Sequence, residues 1–315
     1  MYIYLPIAEM SINVFLVVGI GGAVGFLSGL FGVGGGFLLT PLMMMIGIPP
    51  AVAAASDSNQ IVAAAASGAT AHYRMGNVDI KLGLVILAGG ILGGTLGVQA
   101  VKTLRELGNF DFVIRAVYVL MLGTVGGFMF LESVNKIRRT MGRTPAPSPS
   151  NVTAPPQSPK KSFFSRLPLQ VEFSSLAGTT SLLFPLGAGA AVGFLAAIMG
   201  VGGGFIMVPV MIYILGMPTV KAIGTDLFQI VLVSANVTLQ QAIRNHTVDL
   251  VLAITLFCGS VIGAQFGARV SRLLKGEQLR IFFSVIVLAM MFKLLIDLIT
   301  APENVIGAVA VSGGH

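Results

Sequence analysis

The sequence predicts an all-α membrane protein with many spans, built from two homologous halves. Its composition, its long apolar segments and an internal repeat each support this fold class. Of 315 residues, 55% are hydrophobic and only 10% are charged, whereas soluble domains carry about a quarter charged residues. So few charged side chains cannot cover a water-facing surface, which excludes a soluble enzyme, a nucleic-acid-binding domain and a disordered chain.

The long apolar segments predict helices that cross the bilayer, because a span needs about 20 apolar residues. Segments of this kind lie at residues 12–31, 51–71, 81–101, 112–131, 182–199, 222–242, 248–268 and 279–299. Shorter apolar segments at 37–47 and 205–216 each follow a glycine cluster, as broken or re-entrant helices do. Each half is therefore predicted to hold about five helical segments, one of them short and broken.

A basic, proline-rich segment at residues 136–181 separates the apolar segments into two groups. Six of the fifteen prolines lie between Pro145 and Pro159, and such a composition is typical of an extended linker. The predicted organisation is a first repeat at 1–135, the linker at 136–181, a second repeat at 182–300 and a C-terminal tail at 301–315.

The second half repeats the motifs of the first half in the same order. The segment Phe26–Phe37 matches Phe194–Phe205 at an offset of 168 residues. After one inserted residue the offset is 169, and after another it is 170. The pairs that carry these two later offsets are Gly47/Gly216, Pro49/Pro218, Asp57/Asp226, Gln60/Gln229, Arg74/Arg244 and Asp79/Asp249. A register kept over such a length indicates a duplicated membrane bundle.

The distribution of positive charge favours inverted halves over parallel ones. If each half crosses the bilayer an odd number of times, 14 Lys and Arg residues lie on the side of the linker and 4 on the other. An even number of crossings gives 10 and 8. Because cytoplasmic loops carry the excess of Lys and Arg, we expect a cytoplasmic linker and both termini outside. Inverted repeats are typical of secondary transporters, whose substrate site lies near the midplane between the halves.

Two glycine clusters, Gly32–Gly36 and Gly200–Gly204, are the main candidates for a binding site. Each interrupts a helix, exposes backbone N–H groups and precedes a short helix whose positive dipole end attracts anions. Tight packing or a hinge without a ligand is the alternative explanation. The candidate substrate-binding glycines are Gly34, Gly35, Gly36, Gly202, Gly203 and Gly204.

A polar block in the third helical segment of each half is the second candidate. Its substrate-binding candidates are Ser56, Asn59, Gln60, Thr225 and Gln229. Asp57 and Asp226 lie in the same blocks, and a carboxylate near the midplane is costly unless it is paired or protonated. We therefore expect them to bind a coupling proton, with capping of the third helix as the alternative.

Signals for catalysis are absent from the sequence. It holds one cysteine, Cys258, and it shows neither a Ser/His/Asp arrangement nor a histidine cluster. We therefore expect no catalytic residue, no metal and no cofactor, and a protein that is not an enzyme. The expected partners are the lipid bilayer, a small anion and a coupling proton, while nothing in the sequence indicates an oligomeric state.

The two Gly-x-Gly-Gly-Gly-Phe blocks resemble the signature of the sulfite exporter TauE/SafE family, each with a proline five residues after its last glycine. The Gly-x-Pro segments and the Ser/Thr-Asp blocks that follow are similar to it as well. The resemblance implies a multi-pass inner-membrane transporter that exports sulfite, sulfoacetate or a related organosulfonate by alternating access. An anion channel, or a permease for another small anion, is the alternative.

Overall fold

The computed structural model describes residues 2–31, 36–141, 170–172, 179–271 and 276–300. Nearly all of these residues are helical, which confirms an all-α architecture. The helices of the first half are α1 (Val14–Phe31), α2 (Gly36–Met45), α3 (Pro50–Arg74), α4 (Ile80–Glu106) and α5 (Phe110–Met141). Those of the second half are α6 (Leu183–Met199), α7 (Gly204–Pro209), α8 (Thr219–Gln240), α9 (Leu250–Ser271) and α10 (Gly276–Ile299).

The helices confirm a polytopic membrane protein. Within the described part of the chain, four segments are long and apolar enough to cross a bilayer by length and composition: Ile80–Glu106, Phe110–Phe128, Thr219–Asn245 and Leu250–Gly267. Four shorter apolar helices accompany them, including α2 and α7 after the glycine clusters. The predicted spans at 12–31 and 182–199 form helices of 18 and 17 residues, which are near the lower limit for a spanning helix.

Two small hairpins were not predicted from the sequence. Near the N-terminus, β1 (Tyr2–Leu5) pairs with β2 (Met10–Asn13) in antiparallel register. Within the predicted linker, β3 (Gln170–Glu172) pairs with β4 (Thr179–Ser181). Helix α5 continues through Met141, beyond the predicted start of the linker at residue 136, and contains no proline. Residues 142–169, 173–178 and the tail at 301–315 lie outside the described residues.

The helix contacts between the two halves come in equivalent pairs. Helix α1 lies against α9, and its equivalent in the second half, α6, lies against α4, the equivalent of α9. Helix α3 packs against its own equivalent α8, and α5 against its own equivalent α10. The glycines spaced four apart form these contacts, since Gly21 and Gly25 meet the α9 backbone and Gly89 and Gly93 meet that of α6. Such close approach needs residues without a Cβ atom.

Two pairs of equivalent helices, α3 with α8 and α5 with α10, pack in opposite directions. Along the α3–α8 contact, Gly68 faces Leu227 while His72 faces Gly224. Along the α5–α10 contact, Gly123 faces Met291, whereas Gly126 faces residues 287 and 288. In both contacts the residue number rises on one helix as it falls on the other. This is the arrangement that inverted halves require.

The two single-residue insertions of the second half coincide with π-helical turns. The first insertion falls between Pro209 and Gly216, where Val210–Ile214 continues α7 as a π-helix. The second falls between Gln229 and Arg244, and Gln241–Asn245 continues α8 in the same way. A π-helical turn accommodates one extra residue without ending the helix. The insertions therefore leave the packing of the two halves equivalent on either side of them.

Candidate functional site

The two broken helices meet between the halves. Phe37 in the first turn of α2 stacks on Phe205 in the first turn of α7, with ring centroids 5.6 Å apart and an angle of 27° between the ring planes. Both side chains are buried. Since each phenylalanine directly follows its glycine cluster at the equivalent position, the structure brings the starts of the two short helices to one place.

The second glycine cluster has a backbone that favours glycine. Gly200, Gly202 and Gly203 have φ angles of +77°, +72° and +83°, in the left-handed region that other residues rarely adopt. A Cβ atom at Gly202 would lie 3.0 Å from Cγ2 of Ile61 in the opposite half and 3.3 Å from Oγ of Ser234. The loop therefore lies between α3 and α8.

The first glycine cluster is described only at its last residue. Gly34 and Gly35, predicted to bind substrate, lie outside the described residues, and Gly36 begins α2. A Cβ atom at Gly36 would lie 2.5 Å from Cδ1 of Ile61 and 3.4 Å from Oδ1 of Asp57.

The equivalent glycine of the second half has equivalent neighbours. A Cβ atom at Gly204 would lie 2.6 Å from Oδ2 of Asp226 and 2.7 Å from Cδ1 of Ile230. The structure thus places the glycine motif of each half directly against the aspartate of the same half.

The two aspartates are buried inside helices, so neither caps a helix. Helix α3 begins at Pro50 and α8 at Thr219, which leaves Asp57 and Asp226 two turns inside. Asp57 accepts a hydrogen bond on Oδ2 from the Thr40 hydroxyl at 2.8 Å, and its Oδ1 has no partner. In the part of the chain that the structure describes, no cationic side chain forms an ion pair with either carboxyl group.

Gln60 and Gln229, both predicted to bind substrate, form hydrogen bonds with different kinds of residue. Gln60 donates to the Ser260 hydroxyl of α9 at 2.6 Å, whereas Gln229 donates to Oδ1 of Asp226 at 2.9 Å. The residue equivalent to Ser260 is Gly90, and a Cβ atom there would lie 3.7 Å from Oε1 of Gln229. Because glycine offers no hydroxyl, Gln229 pairs with its own aspartate instead.

The hydroxyls of Ser56 and Thr225 connect the halves. The Thr225 hydroxyl accepts from the backbone N–H of Asp79 at 2.9 Å, and the Ser56 hydroxyl accepts from that of Asp249 at 3.3 Å. Asp79 and Asp249 directly precede α4 and α9, and their carboxylates accept hydrogen bonds from backbone N–H groups in the first turns of these helices. Asn59, the remaining predicted residue, is half-buried on α3.

Two residues at the centre were missed from the sequence. Thr40 bonds to Asp57, and the Tyr118 hydroxyl of α5 donates to the carbonyl of Met199, the last residue of α6 before the glycine loop. Each is a polar group inside a predicted apolar segment. That signal could have identified both, because a polar side chain in a span faces a partner or a cavity.

Comparison with known proteins identifies the family of the chain. The family model described as "Sulfite exporter TauE/SafE" matches residues 17–294. The chain belongs to this family. TauE/SafE proteins are membrane transporters, so the chain is placed among the transport proteins of the lipid bilayer.

Curated proteins similar to the chain are named as membrane transporters. The chain is 27% identical over 257 residues to a protein of Xylella fastidiosa strain 9a5c named "Probable membrane transporter protein", covering 81% of this chain and 84% of that protein. It is 26% identical over 290 residues to "Probable membrane transporter protein YjnA" of Bacillus subtilis strain 168, covering 91% of this chain and all of the relative. No solved structure shows a significant match to the chain.

Proposed function

We propose that this TauE/SafE protein is a secondary transporter that exports a small sulfur-containing anion across the inner membrane. Sulfite, sulfoacetate and related organosulfonates are the substrate class. The observation that carries the proposal is the meeting of the two broken helices at Phe37 and Phe205, with a buried aspartate beside each glycine motif. Secondary transporters with inverted repeats carry their substrate site where the two repeats meet.

Backbone amides and neutral side chains supply the donors for the anion in this proposal. Among the central residues that the structure describes, Gln60 and Gln229 carry side-chain amides with two N–H groups each, one of which is donated within the chain, and the glycine loops offer backbone N–H groups. An anion that leaves water loses strong hydration, so several donors must converge on it. Neutral donors avoid the cost of placing a full positive charge in the membrane.

The packing of the centre favours a carrier over a channel. The Phe37 and Phe205 side chains are 3% and 9% exposed, and a Cβ atom at Gly204 would already overlap Asp226 and Ile230. A channel needs a continuous polar pore, whereas here apolar rings and aliphatic side chains fill the junction. In the proposed alternating-access cycle, one half rocks against the other and opens the site to each side in turn.

The aspartates are the proposed proton sites. A buried carboxylate without a cationic partner is costly, and binding a proton removes that cost. Efflux of an anion from a negative interior is favoured by about 2.3 kcal/mol per charge per 100 mV, whereas uptake against that potential needs a coupling ion, for which Asp57 and Asp226 are the candidate sites. A proton on Asp57 or Asp226 would also lower the repulsion of the bound anion.

Transport assays in proteoliposomes test the proposed substrate class. Labelled sulfite, sulfoacetate, thiosulfate and sulfate are loaded inside, and their efflux is followed with and without an inside-negative potential. We expect saturable efflux of sulfite or an organosulfonate that the potential accelerates. Efflux of none of the sulfur-containing anions above that of protein-free liposomes would contradict the proposal.

A further inference from the structure

A polar stripe runs along α8 at helical spacing. It consists of Ser234, Thr238, Gln241 and Asn245, which lie four, three and four residues apart and so share one face of the helix. Three of its members have a buried polar atom without a hydrogen-bond partner, namely Ser234 Oγ, Thr238 Oγ1 and Asn245 Oδ1. Buried polar atoms are normally paired, so three exceptions on one face indicate partners that are not part of the chain.

The polar stripe begins at the central site. Oγ of Ser234 lies 3.3 Å from the position of a Cβ atom at Gly202, so this hydroxyl borders the second glycine loop directly. Ser234 and Gln241 are 2% and 3% exposed, and Gln241 donates to the carbonyl of Ala197 at 3.2 Å, close to the end of α6. The polar stripe therefore runs along the side of α8 that faces α6, the helix that ends at the second glycine loop.

The polar stripe ends at a basic cleft. Asn245 is 8% exposed and lines a cleft of about 380 Å³ together with Val98, Gln99, Lys102 and Arg244. The Lys102 side chain is largely exposed, and its Nζ lies 3.9 Å from Oε1 of Glu106. Arg244 is exposed as well. From Ser234 to Asn245 the stripe rises about 16 Å, roughly half the thickness of the hydrocarbon core.

The first half lacks the two hydroxyls of the polar stripe. At the positions of Ser234 and Thr238 the first half has Ala65 and Ala69. The π-helical turn Gln241–Asn245, which holds the last two members of the stripe, arises from an insertion that is absent from α3. π-Helical turns are frequent at functional sites. The asymmetry argues against a packing role inherited by both halves.

We propose that the polar stripe lines a hydrated route by which the anion passes between the Lys102–Arg244 cleft and the central glycine loop. The cleft attracts anions through its two cations. The hydroxyls of Ser234 and Thr238 then donate to water or to the passing anion, and the amide oxygen of Asn245 accepts from water. The inference rests on the proposed function in that the passing ligand is the transported anion.

Cysteine accessibility tests the route. In a Cys258→Ala background, which removes the one native cysteine, Ser234→Cys and Thr238→Cys are compared with Leu239→Cys, whose native side chain is 60% exposed on the outside of the bundle. The proteins are held in lipid nanodiscs and treated with the anionic sulfonatoethyl or the cationic trimethylammonium-ethyl methanethiosulfonate. We expect the two stripe variants to react at least tenfold faster than Leu239→Cys, and faster with the anionic reagent. Equal or slower reaction than Leu239→Cys overturns the route.

A second pair of variants separates a hydrated stripe from a dry one. Thr238→Val and Ser234→Ala remove unpartnered hydroxyls with little change of shape, so a dry stripe predicts a higher melting temperature and unchanged transport. The proposed route predicts no gain in melting temperature and a several-fold higher KM for the anion. If Ser234→Cys reacts although no sulfur-containing anion is transported, the route stands and the proposed substrate fails. If such an anion is transported and Ser234→Cys is inert, the route fails and the proposed function stands.

Discussion

Phe37 and Phe205 stack on each other although 168 residues separate them, and they occupy equivalent positions of the two halves. A pair of equivalent residues in mutual contact lies on the axis that relates the halves. The broken helices α2 and α7 therefore begin at that axis. This contact makes the junction of the halves the natural place for a shared site.

Removing one ring of this pair should loosen the junction. Phe205→Ala should lower the free energy of unfolding by about 3 kcal/mol, the usual cost of deleting a buried phenylalanine side chain, and should reduce transport. Thermal denaturation of the purified protein measures the first effect, and efflux from proteoliposomes the second. Phe128→Ala is the matched control, since that ring is 64% exposed on the outer surface. Equal effects of the two substitutions would argue against the central role of the pair.

The contact between the glycine motif and the aspartate leaves no room for a methyl group. Gly204→Ala should reduce transport at least tenfold because the new Cβ atom would lie 2.6 Å from Oδ2 of Asp226. Gly187→Ala provides the control, because a Cβ atom there meets nothing within 4 Å. Initial rates of anion efflux compare the two variants at equal protein density. Normal efflux rates in Gly204→Ala would contradict this expectation, because they would show that Asp226 and Ile230 can move to admit the methyl group.

Neutral replacements of the central carboxyls test proton coupling. Asp57→Asn and Asp226→Asn keep the shape of the side chain and its capacity to accept from Thr40 or Gln229, so the fold should be retained. We expect transport by these variants to lose its response to an imposed pH gradient. Asp111→Asn, on an exposed position of α5, should keep that response. An unchanged response in both central variants would remove the aspartates from the coupling step.

The bond from Tyr118 to the end of α6 should position the second glycine loop. Tyr118→Phe leaves the carbonyl of Met199 without this donor and should destabilise the protein by about 1 kcal/mol. Because the carbonyl directly precedes Gly200, we also expect a slower transport rate. Tyr73→Phe is the control, since Tyr73 is 61% exposed. Melting temperature and efflux rate, measured on both variants, decide whether the hydroxyl matters beyond packing.

The helices and their order could be predicted from the sequence because apolar length and the glycine breaks are local signals. The predicted short segment at 37–47 is helix α2, ending at Met45, and that at 205–216 is α7 with its π-helical continuation to Ile214. The repeat also indicated which residues of the two halves are equivalent. Local patterns were enough because each helix is specified by its own stretch of chain.

The partners of the site residues could not be predicted in the same way. Ser56 and Thr225 bond to residues 193 and 146 positions away in the chain, and no local pattern encodes which loop of the opposite half they meet. The different partners of Gln60 and Gln229 depend on a serine in one half and a glycine at its equivalent position. Only the packing of α8 against α4, and of α3 against α9, reveals that dependence.

Counterflow of a labelled anion tests the central claim most directly. Proteoliposomes are preloaded with a high concentration of unlabelled sulfite or sulfoacetate, and a trace of the labelled anion is added outside. An alternating-access carrier predicts transient accumulation of label above its external concentration, with saturation as the substrate rises. Label that only equilibrates, at a rate proportional to concentration, would contradict a carrier and point to a channel.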